Sequence, residues 1–170
     1  VEELARWATI PIINGLTDLY HPCQILSDLF TISEYKGNFG NLKIIYIGDG
    51  NNVANSWIEA SILFNLNFAI ATPKTYRPLE MLLEKAKDNK RFTIDDDPYA
   101  VAKNADVINT DVWVSMGQEK ETQERKKAFK SYKIDDNLMK EANSEAIVMH
   151  CLPAYRNQEI TDSVFEKYQD

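Results

Sequence analysis

Five short runs of apolar residues alternate with longer segments in which apolar residues recur every three or four positions. The runs lie at 42–47, 67–71, 92–95, 106–110 and 146–149. Short continuous apolar runs are typical of strands buried on both faces, and the segments between them are typical of helices that cover a sheet. The pattern predicts an α/β fold: a doubly wound, Rossmann-like parallel sheet of about five strands with helices on both faces.

Local signals indicate where several helices begin. Pro22 suits the first turn of a helix that continues through an apolar stripe to Ile32, and Asp97 followed by Pro98 is a cap-and-first-turn pair. Further helices are predicted at 2–8, 54–65, 78–87, 99–103, 119–130, 135–142 and 159–168. The β-branched run 10–14 is predicted to be an edge strand or the start of one, because it contains Pro11.

Composition narrows the class of protein. The 170 residues have a net charge of −7, which disfavours nucleic acid as a partner. The two cysteines and two histidines are too few and too far apart for a disulfide framework or a structural zinc site, and they favour a reducing compartment. No apolar run approaches the roughly 18 residues of a membrane span, so a single cytoplasmic domain without membrane association is expected.

The start of the chain has its own signal. Residue 1 is valine rather than methionine, no signal-peptide pattern follows it, and the opening already reads as helix. We therefore expect an excised piece of a longer protein. In this interpretation residues 1–20 are the end of a preceding domain with its connecting segment, and residues 21–170 form the α/β domain.

Polar residues follow three of the predicted strands. They are the pair Asn51 and Asn52, the loop from Asp111 through Ser115 and Met116 to Gly117, and the pair His150 and Cys151. The carboxyl ends of parallel strands open on one side of a sheet, where α/β domains bind ligands. Asp111 could bind an ammonium group or accept its proton; equally, it could cap a turn while Met116 fills a gap in the core.

Two other candidate groups have alternatives of the same kind. Cys151 could be reactive or could be a small buried apolar residue, and its neighbours in sequence do not complete a nucleophile and base. His21 and Gln24 lie at a helix start that favours anions, but spacing alone fits a surface histidine and a capping glutamine better.

The turn after the first predicted strand partly matches the glycine fingerprint of dinucleotide-binding domains. Gly48 and Gly50 match the first two glycines of that fingerprint, but Val53 stands where the third is required. The sequence therefore disfavours NAD and leaves a small polar ligand as the better expectation.

Four motifs together resemble the ornithine carbamoyltransferases. They are His-Pro-Cys-Gln at 21–24, Gly-Asp-Gly-Asn-Asn at 48–52, Asp-Val-Trp-Val-Ser-Met-Gly at 111–117 and His-Cys-Leu-Pro at 150–153. They occur in the family's order, and the resemblance covers almost the whole chain, which looks like the C-terminal, ornithine-binding half. The last motif is shared with sister carbamoyltransferases, whereas the loop at 111–117 resembles the enzymes that use ornithine.

The resemblance implies roles for individual residues. Ornithine would be contacted by Asn52, Asp111, Ser115 and Met116, with Asp111 on its α-amino group. Carbamoyl phosphate would be contacted by His21, Gln24, Cys151 and Leu152. Asp111 and Cys151 would be the catalytic residues.

The resemblance also implies the reaction. The neutral δ-amine of ornithine would attack carbamoyl phosphate and give citrulline and phosphate, as in arginine biosynthesis, without metal or organic cofactor. Catalysis would rest mainly on positioning and charge stabilisation. The complete enzyme would be a homotrimer or larger, in the cytoplasm or, after a transit peptide, in an organelle matrix.

Two departures limit the match. The family's Ser-Thr-Arg-Thr phosphate loop and the late arginine that closes its ornithine site are not in these 170 residues. We therefore expect the chain alone to be inactive. Two alternatives stay open: a carbamoyltransferase that acts on another amine, and a solitary amino-acid-binding domain.

Overall fold

A five-stranded parallel sheet forms the centre of the computed structural model, which describes residues 1–114 and 119–168. The strands are β1 (Lys43–Ile47), β2 (Asn67–Ala71), β3 (Phe92–Asp95), β4 (Val107–Thr110) and β5 (Ile147–His150). Their order is β3-β2-β1-β4-β5, and every neighbouring pair is parallel. The predicted doubly wound fold is confirmed, and each strand lies within one residue of its predicted run.

The strand order creates a crevice. From β1 the chain proceeds outward through β2 to β3, then returns to the other side of β1 to form β4 and β5. Ile44 pairs with Val107 and Ile47 with Thr110, so the ends of β1 and β4 are level. Because the connections leave these two strands in opposite directions, their carboxyl ends border an open space where such folds bind ligands.

The described residues contain eight α-helices. They are α1 (Glu2–Trp7), α2 (Pro22–Lys36), α3 (Asn52–Leu63), α4 (Glu80–Ala86), α5 (Pro98–Ala102), α6 (Thr122–Ala128), α7 (Asp136–Met139) and α8 (Asp162–Lys167). All but α1 contribute buried residues. Asp97 accepts hydrogen bonds from the backbone N–H groups of Tyr99 and Ala100, and Pro98 occupies the first helical turn. The predicted cap is therefore confirmed, and it satisfies donors that a helix start leaves unpaired.

Each face of the sheet has its own core. On one face, α2, α3 and α4 pack over β1 and β2, where the rings of Trp57 and Phe68 stack at 5.5 Å. On the other, the chain that follows β3 and β4 packs around Phe129, whose ring is stacked on Trp113 at 6.0 Å. Coverage on both faces explains why β1 is apolar without alternation.

The structure departs most from the predicted elements at 10–14 and at 119–130. Residues 10–14 form no strand, and Ile10 and Ile13 are 71% and 79% exposed. β-branched residues favour a strand only beside a hydrogen-bonded neighbour, which this surface segment lacks. The predicted helix 119–130 is interrupted: α6 lies between 3₁₀ turns at Glu119–Glu121 and Lys130–Tyr132. Among the described helices, none is long and apolar enough to cross a membrane.

Gly50 is required by close backbone contact. Its N–H donates to the carbonyl of Tyr76 at 2.8 Å, and a Cβ at this position would lie 2.2 Å from the backbone nitrogen of Pro78. The second glycine of the apparent fingerprint therefore accommodates the chain's own loop.

We expect Gly50→Ala to lower the free energy of unfolding by about 2 kcal/mol or more, because a backbone atom cannot move aside as a flexible side chain can. Denaturant unfolding of the purified chain measures this. Gly15→Ala is the matched control, since a Cβ there meets no atom within 4 Å. Equal stability of the two variants would contradict the expectation.

Candidate active site

Three strand ends meet at the carboxylate of Asp111. Asn51, which follows β1, donates from Nδ2 to Asp111 Oδ2 at 2.6 Å. Cys151, which follows β5, donates from Sγ to Asp111 Oδ1 at 3.0 Å. The sequence predicted that these strand ends would open together, and the structure joins one residue from each.

Asp111 keeps room for one more donor. It is 7% exposed, and its Oδ1 also accepts from the backbone N–H of Val112 at 2.7 Å. A carboxylate offers about four lone-pair positions. With three donors among the described residues, two of them on Oδ1, a position on Oδ2 remains that an ammonium group can use.

The thiol of Cys151 acts here as a hydrogen-bond donor. Burial raises the pKa of Cys151 well above its usual range, and the neighbouring charge of Asp111 raises it further. A thiol with so high a pKa stays protonated at neutral pH and is a poor nucleophile. The sequence likewise gave no support to covalent catalysis by this residue.

The sequence placed Asn51 in a polar pair at the end of the first strand but assigned the ligand contact to Asn52 alone. Its Oδ1 caps α3 by accepting from the backbone N–H groups of Val53 and Ala54, which leaves Nδ2 to face Asp111. Asn52, the residue predicted to contact ornithine, donates instead to the carbonyl of Thr17 at 3.0 Å. The adjacent amides at the end of β1 were the available signal, but spacing could not show which faced Asp111.

An open cavity of about 890 Å³ lies beside this group. Its lining includes Asp49, Asn51, Asn52, Asn55, Tyr76 and Arg125. Arg125 is 5% exposed, forms an ion pair of 2.9 Å with Asp49, and donates to the carbonyl of Trp113 at 3.0 Å. It therefore ties the segment after Asp111 to the end of β1. Burial raises the pKa of Asp49 to about 6 although the charge of Arg125 opposes the shift.

Two of the four residues predicted to contact carbamoyl phosphate, Gln24 and Leu152, line a second cavity of about 360 Å³. Its lining includes Gln24, Asp28, His150 and Leu152. Gln24 donates from Nε2 to Asp28 Oδ1 at 2.8 Å, so its Oε1 is the end left to accept from a ligand. Asp111 lines neither cavity, but it accepts from Asn51, which lines the first, and from Cys151, which lies between two lining residues of the second.

His21 lies at the start of α2. Its backbone N–H donates to Ser56 Oγ at 2.7 Å, while its ring Nδ1 is buried and has no partner among the described residues. A buried ring nitrogen without a partner is costly unless a ligand or water satisfies it. Two further predicted residues, Ser115 and Met116, lie outside the residues that the structure describes.

One cluster among the described residues has the composition of a metal site. Donor atoms of Asp111, His150 and Cys151 lie within 4.8 Å of one another. Both ring nitrogens of His150 are already bonded, Nδ1 to the N–H of Leu152 and Nε2 to Glu159. The thiol of Cys151 is protonated and donates to Asp111. The donor set as arranged does not fit a cation, and the prediction of a metal-free site stays a prediction.

The strand order, with polar side chains converging at the crevice between β1 and β4, defines an α/β ligand-binding domain. Residues 40–170 match the family model described as the Asp/Orn binding domain of aspartate/ornithine carbamoyltransferase, and residues 1–34 match the model of its carbamoyl-P binding domain. The chain belongs to the aspartate/ornithine carbamoyltransferase family.

Several relatives carry the name ornithine carbamoyltransferase. Those of Geobacter sulfurreducens and Methanosarcina mazei are 51% and 53% identical, and each match covers 98% of this chain and 55% of the relative. Among solved structures, the anabolic enzyme of Campylobacter jejuni has a TM-score of 0.91 at 40% identity, covering 98% of this chain and 57% of the other. The chain thus spans about half the length of its relatives.

The match to the carbamoyl-P domain model runs through α1 and most of α2. In the structure α2 packs through Ile25, Leu29 and Ile32 on the same core as α3. The division at residue 20 therefore stays a prediction.

Asp28, with Gln24 and Asn109, forms a polar cluster at α2 whose contribution to stability depends on pH. It is 5% exposed, and burial raises its pKa to about 6 even though Gln24 and Asn109 donate to it. Since the folded pKa exceeds the unfolded value of 3.8, the folded state holds the proton more tightly. The resulting stability is present below about pH 4 and is lost as the pH rises through about 6.

Asp28→Asn removes this titration. We expect the free energy of unfolding of the variant, relative to the unaltered chain, to rise by about 2–3 kcal/mol between pH 4 and pH 7, since a shift of one unit corresponds to about 1.4 kcal/mol. Denaturant titrations at several pH values measure it. Asp88→Asn, at an exposed carboxylate, is the control. A pH-independent difference for Asp28→Asn would contradict the expectation.

Proposed function

We propose that this chain supplies the ornithine-binding part of an ornithine carbamoyltransferase, which transfers the carbamoyl group of carbamoyl phosphate to the δ-amine of L-ornithine. The observation that carries this proposal is the buried carboxylate of Asp111 at the β1–β4 crevice, held by Asn51 and Cys151 with one lone-pair position left. Support comes from relatives named ornithine carbamoyltransferase that are 51% and 53% identical to this chain.

The α-ammonium group of ornithine is proposed to bind Asp111. A partly desolvated carboxylate attracts an ammonium group strongly, and hydrogen bonds to charged groups are worth about 1.5–3 kcal/mol. Asn52 lines the larger cavity next to this position. Ser115 and Met116 are proposed to complete the contacts with ornithine.

Carbamoyl phosphate is proposed to contact His21, Gln24, Cys151 and Leu152. The free Oε1 of Gln24 suits the amide N–H of a carbamoyl group, because Asp28 occupies the Nε2 end. The buried Nδ1 of His21 offers a further hydrogen-bonding group. The link from Asn51 through Asp111 to Cys151 would place the two substrates next to each other.

The proposed reaction is carbamoyl transfer to nitrogen. The neutral δ-amine attacks the carbamoyl carbon, a carbon–nitrogen bond forms, the carbon–oxygen bond to phosphate breaks, and the proton that the amine nitrogen releases ends on the departing phosphate. The products are citrulline and phosphate. The protonated thiol of Cys151 orients Asp111, so the chain contributes positioning and charge stabilisation. No metal or organic cofactor is proposed.

The remaining features of the proposal concern the complete protein. The phosphate of carbamoyl phosphate would be bound by the carbamoyl-phosphate domain, of which this chain matches a short part. A homotrimer or larger assembly, a place in arginine biosynthesis and a cytoplasmic or organelle-matrix location belong to the same proposal.

A chimera tests the substrate. This chain replaces the matching segment of its 51% identical Geobacter relative, and steady-state rates are measured with ornithine, putrescine and acetylornithine. We expect citrulline formation, with kcat/KM for ornithine at least about 100-fold above that for the other two amines. Putrescine and acetylornithine lack a free α-ammonium group beside a carboxylate, so they would leave buried polar groups of the site unpaired. The 170 residues alone are expected to form no citrulline.

A preference for putrescine or acetylornithine would assign the chain to another carbamoyltransferase. Tight ornithine binding by the 170 residues, without turnover by the chimera, would favour a solitary amino-acid-binding domain. The unaltered Geobacter enzyme controls for assay conditions.

Asp111→Asn in the chimera tests the proposed ammonium contact. We expect kcat/KM for ornithine to fall about 100-fold, since that factor equals about 2.7 kcal/mol, within the range of a lost charged contact. Asp88→Asn, which removes a charge at an exposed position, should leave the rates unchanged. Normal kinetics for Asp111→Asn would remove its assigned role.

A further inference from the structure

A fully buried acid lies behind the turn that follows β5. Glu159 is 0% exposed, whereas glutamate is almost never fully buried unless it is paired. Its Oε1 accepts from His150 Nε2 at 3.1 Å and from the backbone N–H of Tyr155 at 2.5 Å. The proposed reaction gives Glu159 no task, so its burial calls for a different explanation.

The hydrogen bonds around His150 determine where its ring proton is. The backbone N–H of Leu152 lies 2.9 Å from His150 Nδ1 and can only donate, so Nδ1 accepts and carries no proton. The proton of the ring is then on Nε2, which donates to Glu159. A carboxylate on one ring nitrogen commonly fixes the tautomer and orientation of a functional histidine in this way.

Leu152 depends on this support. Its φ of 56° lies in the left-handed region, which disfavours a bulky residue and costs about 1–3 kcal/mol. The residue is 59% exposed, so packing of its side chain gives this backbone conformation little support. The hydrogen bond from its N–H to His150 Nδ1 supports the backbone here. The preceding residue, Cys151, donates to Asp111.

We infer that Glu159 is a positioning residue for the candidate active site. Through His150 it holds the backbone of Leu152, and thereby it sets the thiol of Cys151 against Asp111. Its required property is one acceptor oxygen at the Oε1 position, because both donors use that atom and Oε2 has no partner among the described residues.

Two variants separate the acceptor from the rest of the side chain. Glu159→Gln keeps a carbonyl oxygen for both donors, whereas Glu159→Met keeps a similar shape and removes the acceptor. The sequence contains only two histidines, His21 and His150. Nitrogen-15 NMR of the histidine rings in the purified chain therefore reports the tautomer directly, with His21→Asn to assign the signals.

We expect the unaltered chain and Glu159→Gln to show His150 with its proton on Nε2. In Glu159→Met we expect that single tautomer to be lost and the Leu152 amide hydrogen to exchange at least about tenfold faster, because the ring is no longer held. A proton on Nδ1 in the unaltered chain would overturn the inference without any variant. So would an unchanged tautomer and exchange rate in a folded Glu159→Met.

The expected effect on turnover rests on the proposed function, whereas the position of the His150 proton does not. In the chimera, Glu159→Met should lower kcat at least about tenfold, because loss of the hydrogen-bond partner behind a functional histidine commonly has an effect of this size. Glu159→Gln should stay within about twofold of the unaltered chimera. Loss of activity in Glu159→Gln, with the tautomer intact, would show that the charge is needed and would overturn the acceptor role.

If the unaltered chimera makes no citrulline while the NMR results appear as expected, the proposed function fails and the positioning role stands. If the chimera is active and Glu159→Met, shown to be folded by circular dichroism, keeps full kcat, the positioning role fails and the proposed function stands.

Discussion

The hydrogen-bonded carboxylate of Asp111 is the contact on which the candidate site depends. It accepts from Asn51 after β1 and from Cys151 after β5 while it follows β4 itself. Three separate strands must therefore end at the same level, which the parallel register of β1, β4 and β5 provides. A slip of one residue in any pair would turn one of these side chains to the other face.

Buried charged residues support this carboxylate on two sides, one toward each cavity. Toward the larger cavity, Arg125 is buried between Asp49 and the carbonyl of Trp113, and so joins the chain after Asp111 to the end of β1. Toward the smaller cavity, Glu159 holds His150 and thereby the turn that carries Cys151. Both are buried charged or polar pairs, which confer a defined geometry more than stability.

The polar cluster at α2 differs from Asp111 in its electrostatics. Asp28 accepts from two amides, yet burial still raises its pKa to about 6. Hydrogen bonds from neutral amides do not replace the lost hydration of a charge. The hydrogen bond from Gln24 Nε2 to Asp28 orients the Gln24 amide and leaves its Oε1 available to a ligand.

The sequence by itself determined the elements and the side of the sheet on which ligands bind. Apolar runs and cap residues such as Asp97 act locally, so they located all five strands and most helix starts. Tertiary structure decided which side chains meet. Only the packed sheet shows that Asn51 rather than Asn52 bonds Asp111, that 10–14 lacks a partner strand, and that Glu159 is fully buried. These facts depend on contacts between residues far apart in the chain, and periodicity carries no information about such contacts.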